Sequence, residues 1–388
     1  MALSSYFADL HIHIGRDMFN KPVKITGAKS LTLSNILIEA SRHKGMDLVG
    51  VIDSHVPAVQ SELRELIADR GARPLADGGI QYERTTLILG SEVEVYDSLC
   101  QGPMHVLCFF PDLESMKAFT EWLKERVTNI HLSSQRYYGT AKQLQYKVKE
   151  LAGLFIPAHV FTPFKSLYGK GVKRSLTEVL DHDLIDGIEL GLSSDTKMAD
   201  RIEELHPFSF LTNSDAHSLA KIGREYQKMH LESPSFRELS WALHQIGGRK
   251  ITANYGMNPL LGKYHESVCL NCTEPVEEGT ICENCGSDKW VKGVADRIGE
   301  LADADTYPSR PPYVHQVPLE YLPSLGPKTL EKLLSVFGTE MNILHHASKQ
   351  ALKEVVSEKL AEAIITMREG NLQAVPGGGG KYGKVKLP

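Results

Sequence analysis

The 388-residue chain contains no run of 18 apolar residues, so no membrane-spanning helix is expected. Its first residues, MALSSYFADLHIH, have no basic leader and no long apolar stretch. No secretory signal is read there, and a cytoplasmic location is expected. A strongly basic composition is also absent, since the formal net charge is −5. That balance does not announce a nucleic-acid partner, although local patches count more than the sum. Cysteine is scarce, with six residues. Cys100 and Cys108 sit in apolar surroundings and read as ordinary buried thiols. The other four lie close together, and in a reducing compartment such a set favours metal over disulfides. What remains, 42% hydrophobic and 23% charged residues, is ordinary for a soluble globular protein. The length calls for two or three domains.

Residues 1 to about 255 alternate short apolar runs with helical patterns. The runs are LVGVI (48–52), TTLILG (85–90), HVLCFF (105–110), GLFIPA (153–158), DGIELG (186–191) and FSFLTN (208–213). LSNILIEASRHKG (33–45) and LESMKAFTEWLKERV (113–127) carry helical spacing. Strand–helix alternation over this length predicts an α/β barrel or open sheet with a largely parallel core. Gly and Pro in GMNPLLGKYH (256–265) mark a domain exit. DADTYPSRPPYVHQVP (303–318) reads as an extended linker. A helical stretch follows over 319–369, and PGGGGKYGKVKLP reads as a flexible basic tail.

The ends of the apolar runs repeat one chemistry. FADLHIH ends in His11 and His13, GVIDSH in Asp53 and His55, LGSEVE in Glu92 and Glu94, and LTNSDAH in Asp215 and His217. Each pair is spaced i, i+2, so both members can face one side of a strand. In a barrel or parallel sheet the strand ends converge on one rim, where sites are built. His105 and His159, at the ends of two further runs, add imidazoles. Histidine and carboxylate are ligands for Zn, Mn or Fe. More than four candidates imply more than one ion, and paired ions suit phosphoester chemistry. Spacing does not rank Asp53 against His55, or Glu92 against Glu94.

DLHIH, DSH, GSE, the single histidines and NSDAH resemble, in order, the motifs of the polymerase and histidinol phosphatase (PHP) superfamily. The resemblance implies a distorted, seven-stranded (β/α) barrel with a two- or three-metal site. It implies His11, His13, Glu92, His105, His159, Asp215 and His217 as ligands, with Asp53, His55 or both serving the second motif. Where the family often carries a further histidine for a third metal, this chain has IGRDMFN, and Asp17 is the candidate substitute. Asp9 is expected to orient a histidine ligand.

Cys269-x2-Cys272 and Cys282-x2-Cys285 form two knuckles nine residues apart, the spacing of a closed structural zinc site. A module so short has little core, so the ion is expected to supply its folding energy. YLPSLGPKTLEKLLSVFG (321–338) resembles a helix-hairpin-helix motif, in which Gly326 and the helix N-terminus present backbone N–H groups to a DNA phosphate and Lys328 adds charge. LKEVVSEKLAEAI (352–364) looks like a second, degenerate copy, with Ser357 near the place of a glycine. Lys165, Lys170, Lys173 and Arg174, with Tyr168 among them, form a basic loop suited to a phosphate backbone. Lysines 381, 384 and 386 would add nonspecific affinity.

The order of these parts resembles the endonuclease Q family across nearly the whole chain. The boundaries expected are 1–260 for the metal-dependent phosphoesterase barrel, 261–300 for the zinc module, 301–318 for the linker, 319–370 for the helix-hairpin-helix domain and 371–388 for the tail. The resemblance implies a DNA-repair endonuclease that hydrolyses the phosphodiester 5′ of deaminated bases (uracil, hypoxanthine, xanthine) and abasic sites in double- or single-stranded damaged DNA. Asp215, Glu92 and Asp9 are the catalytic candidates. Two or three catalytic divalent metals are implied, zinc first with Mn or Mg as alternatives, plus one structural zinc. A PHP phosphomonoesterase and a PHP 3′–5′ exonuclease are the rival readings. No clamp-binding peptide is evident, and nothing in the sequence sets the oligomeric state.

Overall fold

The computed structural model describes residues 2–277, 279–375, 377 and 383–386. Seven strands form a closed ring: β1 (Ser4–Ile12), β2 (Leu48–Val51), β3 (Thr85–Val95), β4 (Met104–Phe110), β5 (Leu154–Pro157), β6 (Ile188–Glu189) and β7 (Phe210–Leu211). β2 pairs in parallel with both β1 and β3. Asp186 and Val160 donate backbone N–H to Phe155 (3.0 Å) and Glu189 (3.0 Å), joining β5 to β6. β6 and β7 are parallel. Ala216 N–H to His11 C=O (3.0 Å) and His13 N–H to Ala216 C=O (3.1 Å) bring the end of β7 back to β1.

The core is less parallel than the alternation predicts. β4 runs antiparallel to β3 and to β5, because the short 96–103 connection leaves no room for the crossover that a parallel pair requires. This reversal explains why His105 opens its strand whereas the other candidates close theirs. Glu94 on β3 is in register with His105 on β4, so a strand start and a strand end share the rim.

Alternate residues of the strands, among them Ala8, Leu10, Leu48, Ile88, Leu107, Phe109, Ile156 and Leu211, fill the ring, and Phe236, Leu239 and Leu243 of the helix Phe236–Leu243 close it below. Outer faces pack under helices such as Leu113–Lys124, which buries Met116, Phe119, Thr120 and Leu123 at helical spacing. Asp112 caps that helix by accepting from the N–H of Glu114 (3.0 Å) and Ser115 (2.8 Å). The 33–45 stretch is helical only as Leu33–Ile38, then widens into a π turn at Glu39–Lys44. The register of β1 against β2 shifts between Asp9 and Ile12, the kind of irregularity that re-aims side chains next to sites.

β1 also carries a second sheet wing. Tyr226–Leu231 lies antiparallel to it, followed by Lys250–Gly256 and then Tyr313–His315. The expected linker is therefore extended but not free, since three of its residues pair with Lys250–Gly256. The helices Pro327–Phe337, Glu340–His345, Lys349–Val355 and Glu358–Arg368 follow. They dock on the barrel through Lys44–Glu340 (2.8 Å) and through His345, which stacks on Phe7 (4.4 Å) and bonds Tyr226 Oη (2.7 Å). Part of the expected flexible tail is paired: Gln373–Val375 lies antiparallel to Lys384–Lys386, while Lys381 falls outside the described residues. No helix of the described residues is long and apolar enough to cross a membrane.

Candidate metal centres

Seven side chains meet at the rim in three overlapping triplets: Glu92, His105 and His159; His11, His13 and Glu92; His13, Asp215 and His217. Within each triplet the ligand-type atoms lie within 4.8 Å of one another. His11 Nε2 is 3.5 Å from Glu92 Oε1 and 3.4 Å from Asp215 Oδ1, and His13 Nε2 is 3.5 Å from Asp215 Oδ1. His159 Nε2 lies 3.4 Å from Glu92 Oε1 and His105 Nδ1 2.9 Å from it. Ligands bound at about 2.0–2.2 Å in a tetrahedron stand roughly 3.3–3.6 Å apart, so most of these separations suit a shared ion better than a hydrogen bond. The Nε2 atoms of His11 and His13 are buried beside these carboxylates and have no hydrogen-bond partner. Orphaned acceptors at that depth are costly, and a divalent cation would satisfy them.

A second layer of side chains sets the rings. Glu189 accepts at His11 Nδ1 (2.9 Å) and takes the His159 N–H (2.8 Å); Asn213 Nδ2 donates to it (2.8 Å). Asp53 Oδ2 meets His13 Nδ1 (3.2 Å) and the Ile14 N–H (2.7 Å). Thr162 Oγ1 meets His159 Nδ1 (2.9 Å). Each bond leaves Nε2 for the centre. Burial pushes the Glu92 carboxyl up, but His105 and Lys24 outweigh it and hold the group well below the usual range. Asp215 behaves alike, with His11 and His13 overcoming burial. For His11, burial pulls downward, and Glu189 and Asp215 carry it well above its ordinary value. His159 and Asp215 adopt positive φ (32° and 45°), a conformation that non-glycine residues rarely hold outside constrained sites.

Several expectations need correction. Asp9 orients no histidine ring: its carboxylate accepts from the N–H of Ser214 (3.0 Å) and Gly223 (2.8 Å), tying β1 to the NSDAH segment. Burial raises its pKa. Asp53 stands behind His13. His55 has both ring nitrogens engaged, by Ser91 Oγ (2.9 Å) and Leu132 C=O (3.4 Å), and joins no triplet. The reason is that β2 ends at Val51; Asp53 and His55 lie in a turn, where i, i+2 residues do not share a face. Asp17 organises a tight turn by accepting from the N–H of Phe19 (3.0 Å) and Lys21 (2.8 Å). Glu94 is outside the triplets and pairs with Lys165 (2.6 Å). Glu189, Lys24, Ser133 and Ser134 were not singled out from sequence. Glu189 lies inside DGIELG rather than at its end, so the run gave no signal; the structure makes it the last residue of β6. Lys24 Nζ reaches Glu92 (3.2 Å), and Ser134 Oγ bonds Glu92.

The basic loop is pinned rather than loose. Arg297 donates to the carbonyls of Tyr168 (2.8 Å), Val172 (3.1 Å) and Lys173 (2.7 Å). Tyr168 is buried and bonds Glu204, so it offers no stacking face. Lys170 and Lys173 border a cavity of about 620 Å³ shared with Trp290, and the Arg174 side chain is exposed. The four thiols of Cys269, Cys272, Cys282 and Cys285 gather within 4.8 Å, which fits one tetrahedral ion. Gly326 caps Pro327–Phe337 without a side-chain partner, with Lys328 exposed beside it. Ser357 stands at the N-cap of Glu358–Arg368, the place Gly326 holds on Pro327–Phe337, and its hydroxyl accepts from the Leu360 N–H.

No protein-family model matches the chain. It is 55% identical over 386 residues to YqxK of Bacillus subtilis (strain 168), an uncharacterized protein, covering 99% of this chain and all of that one. Among solved structures it resembles the lesion-specific endonuclease PfuEndoQ from Pyrococcus furiosus, with a TM-score of 0.86 and 34% identity over 99% of this chain and 96% of that one. It also resembles an Endonuclease Q solved with a 27-mer duplex substrate carrying an abasic lesion at the active site, with a TM-score of 0.84 and 34% identity over 99% and 97% of the two chains. Barrel, rim and neighbours together define a metal-dependent nuclease. Within that class, the chain belongs to the endonuclease Q family.

Proposed function

We propose that this chain is a DNA-repair endonuclease that hydrolyses the phosphodiester 5′ of deaminated bases and abasic sites. The observation that carries the reading is the seven-residue rim, five of whose members line a cavity of about 450 Å³, in a chain matched end to end by a family member bound to abasic duplex. Two or three divalent ions, zinc first with Mn or Mg as alternatives, suit the three triplets; when bound, such ions neutralise phosphoryl charge and acidify water. Glu92 and Asp215 are the central carboxylates, kept anionic by the surrounding imidazoles and Lys24. The second layer holds the imidazoles of His11, His13 and His159 at fixed angles, so that part of the site is shaped before substrate arrives. A damaged nucleotide leaves the stack more cheaply than a sound one, which favours lesions in a site that needs the nucleotide extruded. Hydrolysis would leave a 3′ hydroxyl and a 5′ phosphate.

The four thiols would hold one structural zinc. The uncapped amides at Gly326, with Lys328, would take a DNA phosphate in the manner of a helix-hairpin-helix. Lys165, Lys170, Lys173 and Arg174 would follow the backbone beside the rim. A cytoplasmic location goes with this reading. To test the reading, metal-loaded protein is incubated with end-labelled duplexes carrying one uracil, hypoxanthine or abasic site, beside undamaged duplex and a phosphomonoester. One nick immediately 5′ of each lesion is expected, with the two controls untouched. A ladder from the ends, or phosphate release without nicking, would overturn it.

A further inference from the structure

The turn that leaves β1 has a feature that the metal rim does not use. Ile25 is 77% exposed, the highest among the large apolar side chains of the described residues. One exposed aliphatic residue is ordinary in itself; its surroundings set this one apart. Lys24 and Thr26, on either side, both line the cavity at the metal rim, so Ile25 stands on its lip. Phe164, half-exposed, lines the same cavity and packs edge-on against Tyr264 (5.3 Å).

The turn is also fixed in place. Lys24 N–H donates to Ile14 C=O (2.8 Å), Gly27 N–H to Lys24 C=O (2.9 Å) and Ala28 N–H to His217 C=O (2.8 Å). Both of its ends are thereby fastened to segments that carry rim histidines. At Gly15 a Cβ would fall 2.0 Å from the Ala28 carbonyl oxygen, so the turn lies directly on the backbone leaving β1. The local charge is suited to a polyanion. Residues 14–29 hold Arg16, Lys21 and Lys29 beyond Lys24, which is paired with Glu92 (3.2 Å), in a chain of net charge −5, and the one carboxylate among them, Asp17, is engaged by two backbone amides.

We propose that Ile25 is an apolar wedge for the DNA base stack: it enters the duplex beside the nucleotide held at the rim and fills the gap that nucleotide leaves. The inference rests on the nuclease reading above. Extrusion exposes the faces of the flanking bases, and an aliphatic side chain between them keeps them from closing again. A β-branched residue is stiff at χ1, and a pinned turn has little freedom to lose on insertion. The flanking cations lie where phosphates on either side of the opened step would pass.

The test compares the full-length, metal-loaded chain with its Ile25→Ser and Ile25→Leu variants. Each is given a duplex with one paired uracil and a second with the uracil already unstacked in a mismatched bubble; both carry 2-aminopurine beside the lesion. Ile25→Ser should lower kcat/KM about tenfold or more on the paired lesion and no more than about twofold in the bubble. It should also lose the 2-aminopurine fluorescence rise on binding, and Ile25→Leu should keep both. Equal losses on the two substrates, or an unchanged fluorescence rise in Ile25→Ser, would overturn the wedge. An unsubstituted chain that nicks neither duplex would overturn the nuclease reading instead.

Discussion

The cysteine module and the metal rim are both candidate ligand sets, built in opposite ways. The module draws all four thiols from residues 269–285, and Cys272 and Cys285 are only partly buried. Its paired strands, Val268–Cys269 and Trp290–Val291, are two residues each. The rim draws on residues 11 to 217, from positions on or after five different strands, and sets a layer of buried Glu189, Asp53 and Asn213 behind its ligands. A local set with little core needs its ion in order to fold. A set spread over a barrel is assembled by the barrel's apolar burial, so its shape does not wait on an ion.

The sharpest way to break this contrast is to remove the module's ion. Combining Cys272→Ser with Cys285→Ser forfeits on the order of 10 kcal/mol of ion binding. One metal equivalent should be lost and the 266–292 stretch should become protease-sensitive, while the barrel keeps its thermal transition. Collapse of both together would mean that the module is part of one cooperative unit with the barrel. At the rim, Asp215→Asn should lower nicking about a thousandfold or more while leaving the fold and DNA binding in place. Full nicking by that variant in the same metal buffer would remove the rim from the chemistry.

Smaller effects test the layer behind the ligands. Glu189→Gln retains the shape but weakens the bond that sets His11, and metal affinity at the rim should fall about 10–100-fold by titration calorimetry. An unchanged affinity would show that the barrel alone holds the ring. The least effect concerns the docked C-terminal helices, which like the rim depend on tertiary burial. Burial lowers His345 from 6.5 to about 3, and Lys228 and His346 push the same way. The unfolded chain binds that proton more tightly, so this contribution to stability is full above about pH 6.5 and is lost as pH falls toward 3. Docking followed by limited proteolysis should weaken between pH 7 and 5, and His345→Phe should flatten the trend.

Much of the rim was legible because strand ends announce themselves. An apolar run followed by i, i+2 ligand types marks where a strand meets a site, and His11, His13, Glu92, Asp215 and His217 were all visible in that way. The same rule misread Asp53 and His55, because β2 stops at Val51 and the two residues fall in a turn. It also left Glu92 and Glu94 unranked. Both lie on β3, and only the placement of His105, His159 and Lys165 around them sends one to the centre and the other to a surface lysine.

By itself the sequence determined which chemistries are present and where strands end, because side-chain period and the spacing of the cysteine knuckles are local properties. It also determined the module almost completely, since four ligands within 17 residues need no distant partner. Only the tertiary structure decided that β4 turns back and puts His105 beside Glu92, that Glu189 stands behind His11, and that Asp17 shapes the turn below Ile25 instead of binding metal. Those outcomes depend on how the ring closes. Closure brings together residues more than 200 positions apart, such as Asp9 and Ser214, and no local pattern encodes such a pairing.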